Sequence, residues 1–373
     1  MRRTLATLVV VATATLGFAT PAPAATTGSY LVALHGHPSP GSTIQAADLT
    51  GRYGGDIGHV YSAALRGFSV TMTEAQAKRL AADPAVRYVE RDGMATATET
   101  WGLDRVDQRS LPLDDSYTAP NDGSGATAYV VDTGMDLDHP GYGGRARSGY
   151  DFIDDDSDAS DCAGHGTHVG GTIGSSTWGV AKNVTLVSVR VLGCDGSGSW
   201  DQVIAGIDWV TQHAPEAAVG NMSLGGSRST AVNEAVANSI DAGVAWAVAA
   251  GNEGQDACNV SPASVPDALT VAASDSADRR SIFSAGSSNY GGCVDLFAPG
   301  SNVTSTTNGG GSGGMSGTSM ATPHFAGALA LAVTTNPTAL VAELTSAITD
   351  GPTPDVISDV RGSPNKLLYV GDL

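Results

Sequence analysis

The sequence predicts an α/β protein: a mostly parallel sheet covered by helices on both faces, preceded by a small α+β domain. Three observations carry this reading. From Trp101 onward, short apolar runs of strand character alternate with small-residue helical stretches, the βαβ pattern of a sheet buried on both faces. A stretch of small and polar residues, Met94 to Thr100, separates that region from a shorter one mixing strands with a helix. The first residues have the make-up of a leader rather than of a fold.

Taken in order, Arg2 and Arg3 precede a mostly apolar stretch from Leu5 to Phe18, too short to span a bilayer comfortably. Ala22-Pro23-Ala24 supplies the small residues of a cleavage site, so residues 1–24 read as a secretory signal peptide. Tyr30 to Leu34 predicts a strand, and Val60 to Val70, which alternates loosely, predicts another. Thr73 with Gln76 three residues on is a capping box, opening a helix to about Ala82; Val86 to Val89 then returns as strand. Past the linker, strands are expected at Ala128–Val131, Val184–Val191, Val244–Ala250 and Leu269–Ala273. Helices are expected near Gln202–Gln212, Ala231–Ala242 and Phe325–Val333. The glycine-rich run Asn308 to Gly314 reads as a mobile surface loop.

Composition narrows the function classes. With 38 acidic against 19 basic residues the formal charge is −19, which disfavours nucleic acid and acidic membrane surfaces as partners. It suits metal cations and export. No stretch after the leader is long and apolar enough to span a membrane, so an exported, extracellular protein is expected. Cys162, Cys194, Cys258 and Cys293 in such a chain argue for two disulfides. Three pairings are possible and spacing does not choose among them. Neither C-x-x-C nor H-E-x-x-H spacing is present to support a metal reading.

Three segments place a reactive side chain at the edge of a regular element. Asp132 ends the strand in Val130-Val131-Asp132-Thr133-Gly134. His165 sits in Asp161-Cys162-Ala163-Gly164-His165-Gly166-Thr167-His168, where a helix can start. Ser319 sits in Gly317-Thr318-Ser319-Met320-Ala321-Thr322-Pro323, ahead of a helical run. A serine hydroxyl is a weak nucleophile, an imidazole can take its proton, and a carboxylate fixes the imidazole's tautomer. Asn252, in Ala249-Ala250-Gly251-Asn252-Glu253-Gly254, is an amide at a strand end that could hold a developing oxyanion. Taken singly the same residues have ordinary roles. A lone Asp at a strand end is usually a cap or turn former. His168 and His324 read as structural, and Ser312 in the glycine run lacks the strand and helix of a nucleophile elbow.

In order and in context, D-T-G, G-H-G-T-H-V and G-T-S-M-A-T-P-H resemble the subtilisin-like serine proteases (peptidase family S8), in particular the proteinase K branch with its calcium-stabilised bacterial members. The likeness spans about Trp101 to Tyr369. It implies a subtilisin-like catalytic domain at 97–373 and a ferredoxin-like propeptide of the inhibitor I9 type at 25–96, cleaved by the enzyme itself near residues 94–98. It makes Ser319 the nucleophile, His165 the general base, Asp132 its orienting partner and Asn252 the oxyanion donor. Ser223-Leu224-Gly225-Gly226 would line the S1 side and Gly251 would also bind substrate; Gly196-Ser197-Gly198 would form the opposite substrate strand, with Trp200 as the aromatic wall of S4. These segments carry no charge, so an apolar or broad P1 preference is expected. The relatives pair Cys162 with Cys194 and Cys258 with Cys293. The stretch Ser284 to Tyr290 departs from them in being longer.

The resemblance also implies structural calcium. One site would use the carbonyls of Pro266 and Ala268 with Asp295; a second would use Asp104, Asp107, Gln108, Asp114 and Ser116. The run Asp151 to Asp161, with six aspartates, is a third candidate, though such runs are commonly solvated loops. No organic cofactor is implied. The expected protein is a secreted monomeric endopeptidase made as an inactive precursor. Its partners would be protein or peptide substrates and its own propeptide, with no nucleic acid and no membrane, and no binding domain is appended after Tyr369. The rivals are a catalytically dead peptide-binding relative, which the four filled catalytic positions disfavour, and an esterase using the same triad, which the peptide-binding glycine segments disfavour.

Overall fold

The computed structural model describes residues 26–37, 41–63, 65–92, 101–215 and 218–373. The leader and the segment around 94–98 lie outside these residues. The chain divides into two compact units, Met1–Ala97 and Thr98–Leu373.

The first unit runs β-α-β-β-α-β. Its sheet is antiparallel throughout, in the order Asp56–Tyr61, Gly67–Thr73, Thr27–Leu34, Val86–Arg91, the ferredoxin-like arrangement. The helices Ser42–Tyr53 and Glu74–Ala81 pack on it over Val32, Leu34, Leu49, Phe68, Val70, Met72 and Leu80. The capping box forms: the Gln76 N–H donates to Thr73 Oγ1 at 3.3 Å, and the Thr73 N–H donates to Gln76 Oε1 at 2.8 Å. Two details differ from the sequence reading. The expected strand Val60–Val70 is a pair of strands, because the chain reverses after Tyr61 and only then enters Gly67–Thr73. The helix Ser42–Tyr53 has no obvious apolar stripe; its buried face is only Ser42, Ala46 and Leu49, at helical spacing.

The second unit is built on a nine-stranded sheet. Its order is Thr353–Pro354, Lys366–Leu367, Leu296–Pro299, Leu269–Ser274, Val244–Ala249, Ala218–Met222, Thr127–Asp132, Thr185–Arg190, Ala146–Asp151. All neighbours are parallel except the first pair. Continuous apolar runs such as Val244–Ala249, buried at every position, make such a sheet possible. After Thr127–Asp132 the chain adds strands on one side, then crosses to the other with Ala218–Met222. The carboxyl end of Thr127–Asp132 therefore lies at a topological switch point, where open α/β sheets bind ligands. Trp200–His213 and Thr230–Asp241 cover one face; His165–Gly174 and Thr318–Thr335 cover the other. Thr318–Thr335 is buried almost all round, which its run of Ala, Leu, Val and Phe permits.

The glycine run is not a mobile loop. Val303–Thr307 and Gly311–Met315 pair antiparallel as a hairpin. His168 Nε2 reaches the carbonyls of Val303 (2.9 Å) and Gly313 (3.1 Å), and the Asn308 amide lies 2.6 Å from Thr167 Oγ1. Glycines leave no side chains to signal a strand, so composition alone reads as a loop. Disulfides join Cys162 to Cys194 and Cys258 to Cys293, closing sequence separations of 32 and 35 residues.

Candidate active site

Asp132 is the last residue of its strand and fully buried. Its Oδ1 accepts from the Thr133 N–H at 2.8 Å and lies 2.7 Å from His165 Nδ1. His165 opens the helix His165–Gly174, entered through Gly164 at φ +93°, a left-handed turn that glycine takes without strain. Asp161 fastens the two together. Its carboxylate accepts from Thr133 Oγ1 (2.9 Å), the N–H groups of Ala163 (2.8 Å), Gly164 (2.9 Å) and Thr167 (2.9 Å), and Thr167 Oγ1 (2.6 Å). Burial disfavours the imidazolium of His165, but the charge and hydrogen bond of Asp132, with Asp161 beyond, outweigh it and raise the His165 pKa.

Ser319 lies in the first turn of Thr318–Thr335, where main-chain N–H groups have no helical partner and the helix dipole favours negative charge. Pro323 lacks an N–H, so the Ser319 carbonyl loses its helical donor four residues on. Ser223 Oγ takes that place, donating to Ser319 O at 2.8 Å. Ser319 Oγ in turn donates to Ser223 O at 3.1 Å, so the hydroxyl rests against Ser223 rather than on His165. The amide of Asn252 is oriented by Thr318: its Oδ1 accepts from the Thr318 N–H (2.9 Å) and Oγ1 (3.0 Å). That commits the carbonyl end inward and leaves the NH₂ end as the donor available to a ligand.

His165 and Ser319 share a cavity of about 640 Å³ whose rims are Gly196-Ser197-Gly198 with Trp200 on one side and Ser223-Leu224-Gly225-Gly226 on the other. A side chain at Gly226 would meet the Trp200 ring at 2.8 Å, so the rim approaches the aromatic wall closely. Gly251 and Asn252 are not among its lining residues; they join the site through Thr318, whose Oγ1 accepts from the Gly251 N–H at 3.2 Å. Charge does stand nearby: a smaller cavity past Gly226 is lined by Arg228, Glu253, Gln255 and Asn259. Sequence reasoning missed Thr318 as the residue that orients Asn252, and it read Asp161 only as part of an acidic run. Thr318 has no local signature, since its partner Asn252 comes from a distant segment; Asp161 binds mostly the turn just after it, and the acidic run around it hides that role.

The expected cation ligands separate into three cases. Pro266, Ala268 and Asp295 line one cavity of about 700 Å³, and burial pushes the Asp295 carboxyl up to about 6. Asp104, Asp107, Gln108, Asp114 and Ser116 converge. Gln108 Nε2 bonds Asp104 Oδ1 and, at 3.3 Å, Asp114 Oδ1, while Ser116 Oγ donates to Asp114 Oδ1 at 2.7 Å. Asp107 Oδ1 is buried without a partner, and burial with the nearby Asp104 and Asp114 raises the Asp107 pKa. In the acidic run, Asp161 is committed to protein donors, and Asp151 and Asp154 pair with Arg190 at 2.6 and 2.8 Å. Among the described residues no group of three or more His, Cys, Asp or Glu side chains is placed to hold a metal ion.

Comparison with known proteins shows the family. Residues 123–353 match the Subtilase family (Peptidase_S8) and residues 30–97 match Peptidase inhibitor I9. The chain is 49% identical over 339 residues to alkaline serine exoprotease A of Vibrio alginolyticus, covering 88% of this chain and 63% of that protein's length. It is 51% identical over 337 residues to an extracellular serine proteinase of Thermus sp. (strain Rt41A), covering 88% of this chain and 81% of the relative. The crystal structure of a cold adapted subtilisin-like serine proteinase matches with a TM-score of 0.71 and 54% identity, over 74% of this chain and 99% of that one. Fold, motifs and relatives agree: the chain belongs to the subtilase family of serine endopeptidases and carries an I9-type propeptide domain ahead of its peptidase domain.

Proposed function

We propose that this chain is the precursor of a secreted endopeptidase that cuts extended protein segments through Asp132, His165 and Ser319, with Asn252 as oxyanion donor. The observation that carries the reading is the 2.7 Å contact of Asp132 Oδ1 with His165 Nδ1, beside a glycine-rimmed cleft that His165 and Ser319 both line. With Nδ1–H donated to Asp132, His165 is held in the tautomer whose free Nε2 accepts a proton. A peptide entering the cleft adds as a strand between the two glycine-containing rims, which are bare enough for main chain to meet main chain. Ser319 Oγ turns from Ser223 O toward His165, gives up its proton and attacks the scissile carbonyl. The oxyanion falls to the Ser319 N–H and the Asn252 NH₂, and the imidazolium returns its proton to the leaving amine. The uncharged rims suit a broad or apolar P1 residue.

The reading includes structural calcium at the Pro266–Ala268–Asp295 and Asp104–Ser116 groups, whose partly buried carboxyls with raised pKa are the hard oxygen donors that this ion takes. It also includes processing: the I9-type domain, assigned to residues 25–96, is removed by the enzyme itself within 94–98. The test is the intact mass of the secreted protein beside Ser319→Ala. Wild type is expected to lose everything through about 94–98, and the variant to keep its propeptide covalently attached. Equal trimming of both would assign processing to another protease and remove this support for Ser319.

A further inference from the structure

We infer that Asn289 is the positioning residue of the loop that carries Asn252, holding the oxyanion amide in place from behind. The inference rests on the assignment of Asn252 as oxyanion donor. Asn289 is fully buried and its amide is saturated. Nδ2 donates to Ala250 O and to Glu253 Oε2, both at 2.8 Å. Oδ1 accepts from the N–H groups of Glu253 (3.1 Å) and Gln255 (2.9 Å). Its main-chain N–H donates to Gly251 O at 2.9 Å. These partners flank Asn252 on both sides, so residues 250–255 are wrapped around one buried amide.

The amide type matters. The loop turns two acceptors and two N–H donors toward the same point, and only a planar group that both donates and accepts answers all four. The wrapping is close: Gly251 sits at φ +99°, and a Cβ there would run into Asn289 Nδ2. From the front, Thr318 binds Asn252 Oδ1, and the Ser287 N–H donates to Asn252 O at 3.0 Å. Thr318 therefore sets the rotation of the Asn252 amide, while Asn289 sets where the loop that bears it stands. Displacing an oxyanion donor by about 1 Å is enough to cost on the order of 10²-fold in rate.

The test is a double-mutant cycle. Tagged proteins carrying Asn289→Ala, Asn252→Ala, or both are matured by a trace of untagged wild type, repurified, and assayed for kcat and KM on a peptide anilide. Asn289→Ala is expected to lower kcat about 10- to 100-fold with KM nearly unchanged, since one misplaced donor acts in the transition state. In the Asn252→Ala background the same substitution is expected to change kcat less than about threefold, because the group it positions is gone. An equal loss in both backgrounds would overturn the inference and leave the Asn252 assignment standing. An undiminished kcat in Asn252→Ala alone would instead sink that assignment and the inference with it. Should Asn289→Ala yield no folded protein, Asn289→Ser carries the same cycle with a smaller void.

Discussion

Asp161 shows what a single residue can do beyond its charge. In the sequence it ends an acidic run; in the fold it binds five donors that join the Asp132 strand to the His165 helix. It also adds to the raised pKa of His165. The proposed base works only as the neutral imidazole, so activity falls as pH drops through that pKa, and a raised value moves the acid limb of kcat/KM upward. Removing the Asp161 charge in Asp161→Asn should therefore shift the limb to lower pH. It should also lower kcat roughly 10-fold or more, because donors now face an amide that accepts at one atom only. An unmoved limb in the variant would refute the electrostatic part. The triad candidates were legible because their chemistry needs fixed residue types in fixed local settings. Thr318 and Asn289 were not, since what they hold comes from segments far along the chain; Asp161 was not, because it holds its own turn from within an acidic run that reads as a solvated loop.

Elements were legible where burial leaves a periodic trace and silent where it does not. The helix at Trp200–His213 and the strands Thr127–Asp132 and Val244–Ala249 follow their apolar patterns. The hairpin Val303–Met315 leaves none, because it is secured by side chains from elsewhere. His168 is one of these: its Nε2 serves two hairpin carbonyls, and its buried Nδ1 has no partner. Burial pushes His168 and His324 each down to about 4. Both are thus neutral in the folded state where an unfolded histidine, near 6.5, already takes a proton. Between about 6.5 and 4 the unfolded chain binds more protons, so stability falls as pH falls. Two such residues contribute a slope of up to about 2.7 kcal/mol per pH unit. Urea unfolding of Ser319→Ala, which avoids self-digestion, measures it across that window. The parent should titrate more steeply than a form that also carries His168→Gln and His324→Gln. Equal slopes would show that these two buried histidines do not carry the acid sensitivity.

At the scale of the whole molecule, the chain joins large net negative charge to few charged residues. The formal charge is −19, and its carboxylates gather at a handful of places instead of spreading evenly. Self-repulsion of that kind works against compactness unless cations answer it. Arginine answers some: Arg105 grips Asp278 with two nitrogens, and Arg190 binds Asp151 and Asp154. It does not answer Asp295, or Asp107 with its unpartnered oxygen. The disulfides close loops of a length worth roughly 3–4 kcal/mol each in chain entropy, but they do nothing for buried charge. A divalent cation that binds only the folded chain at about 100 times its Kd adds about 2.7 kcal/mol. For a domain of this size that is a rise of about 5 °C in Tm. Excess EDTA should lower the Tm of Ser319→Ala by that order, and added calcium should restore it. Asp107→Ala should remove part of the response and Asp295→Ala another part, since the two groups lie in different segments of the chain. A Tm indifferent to EDTA would mean that these partly buried carboxyls hold no ion, and that packing and disulfides alone carry the stability of the peptidase unit.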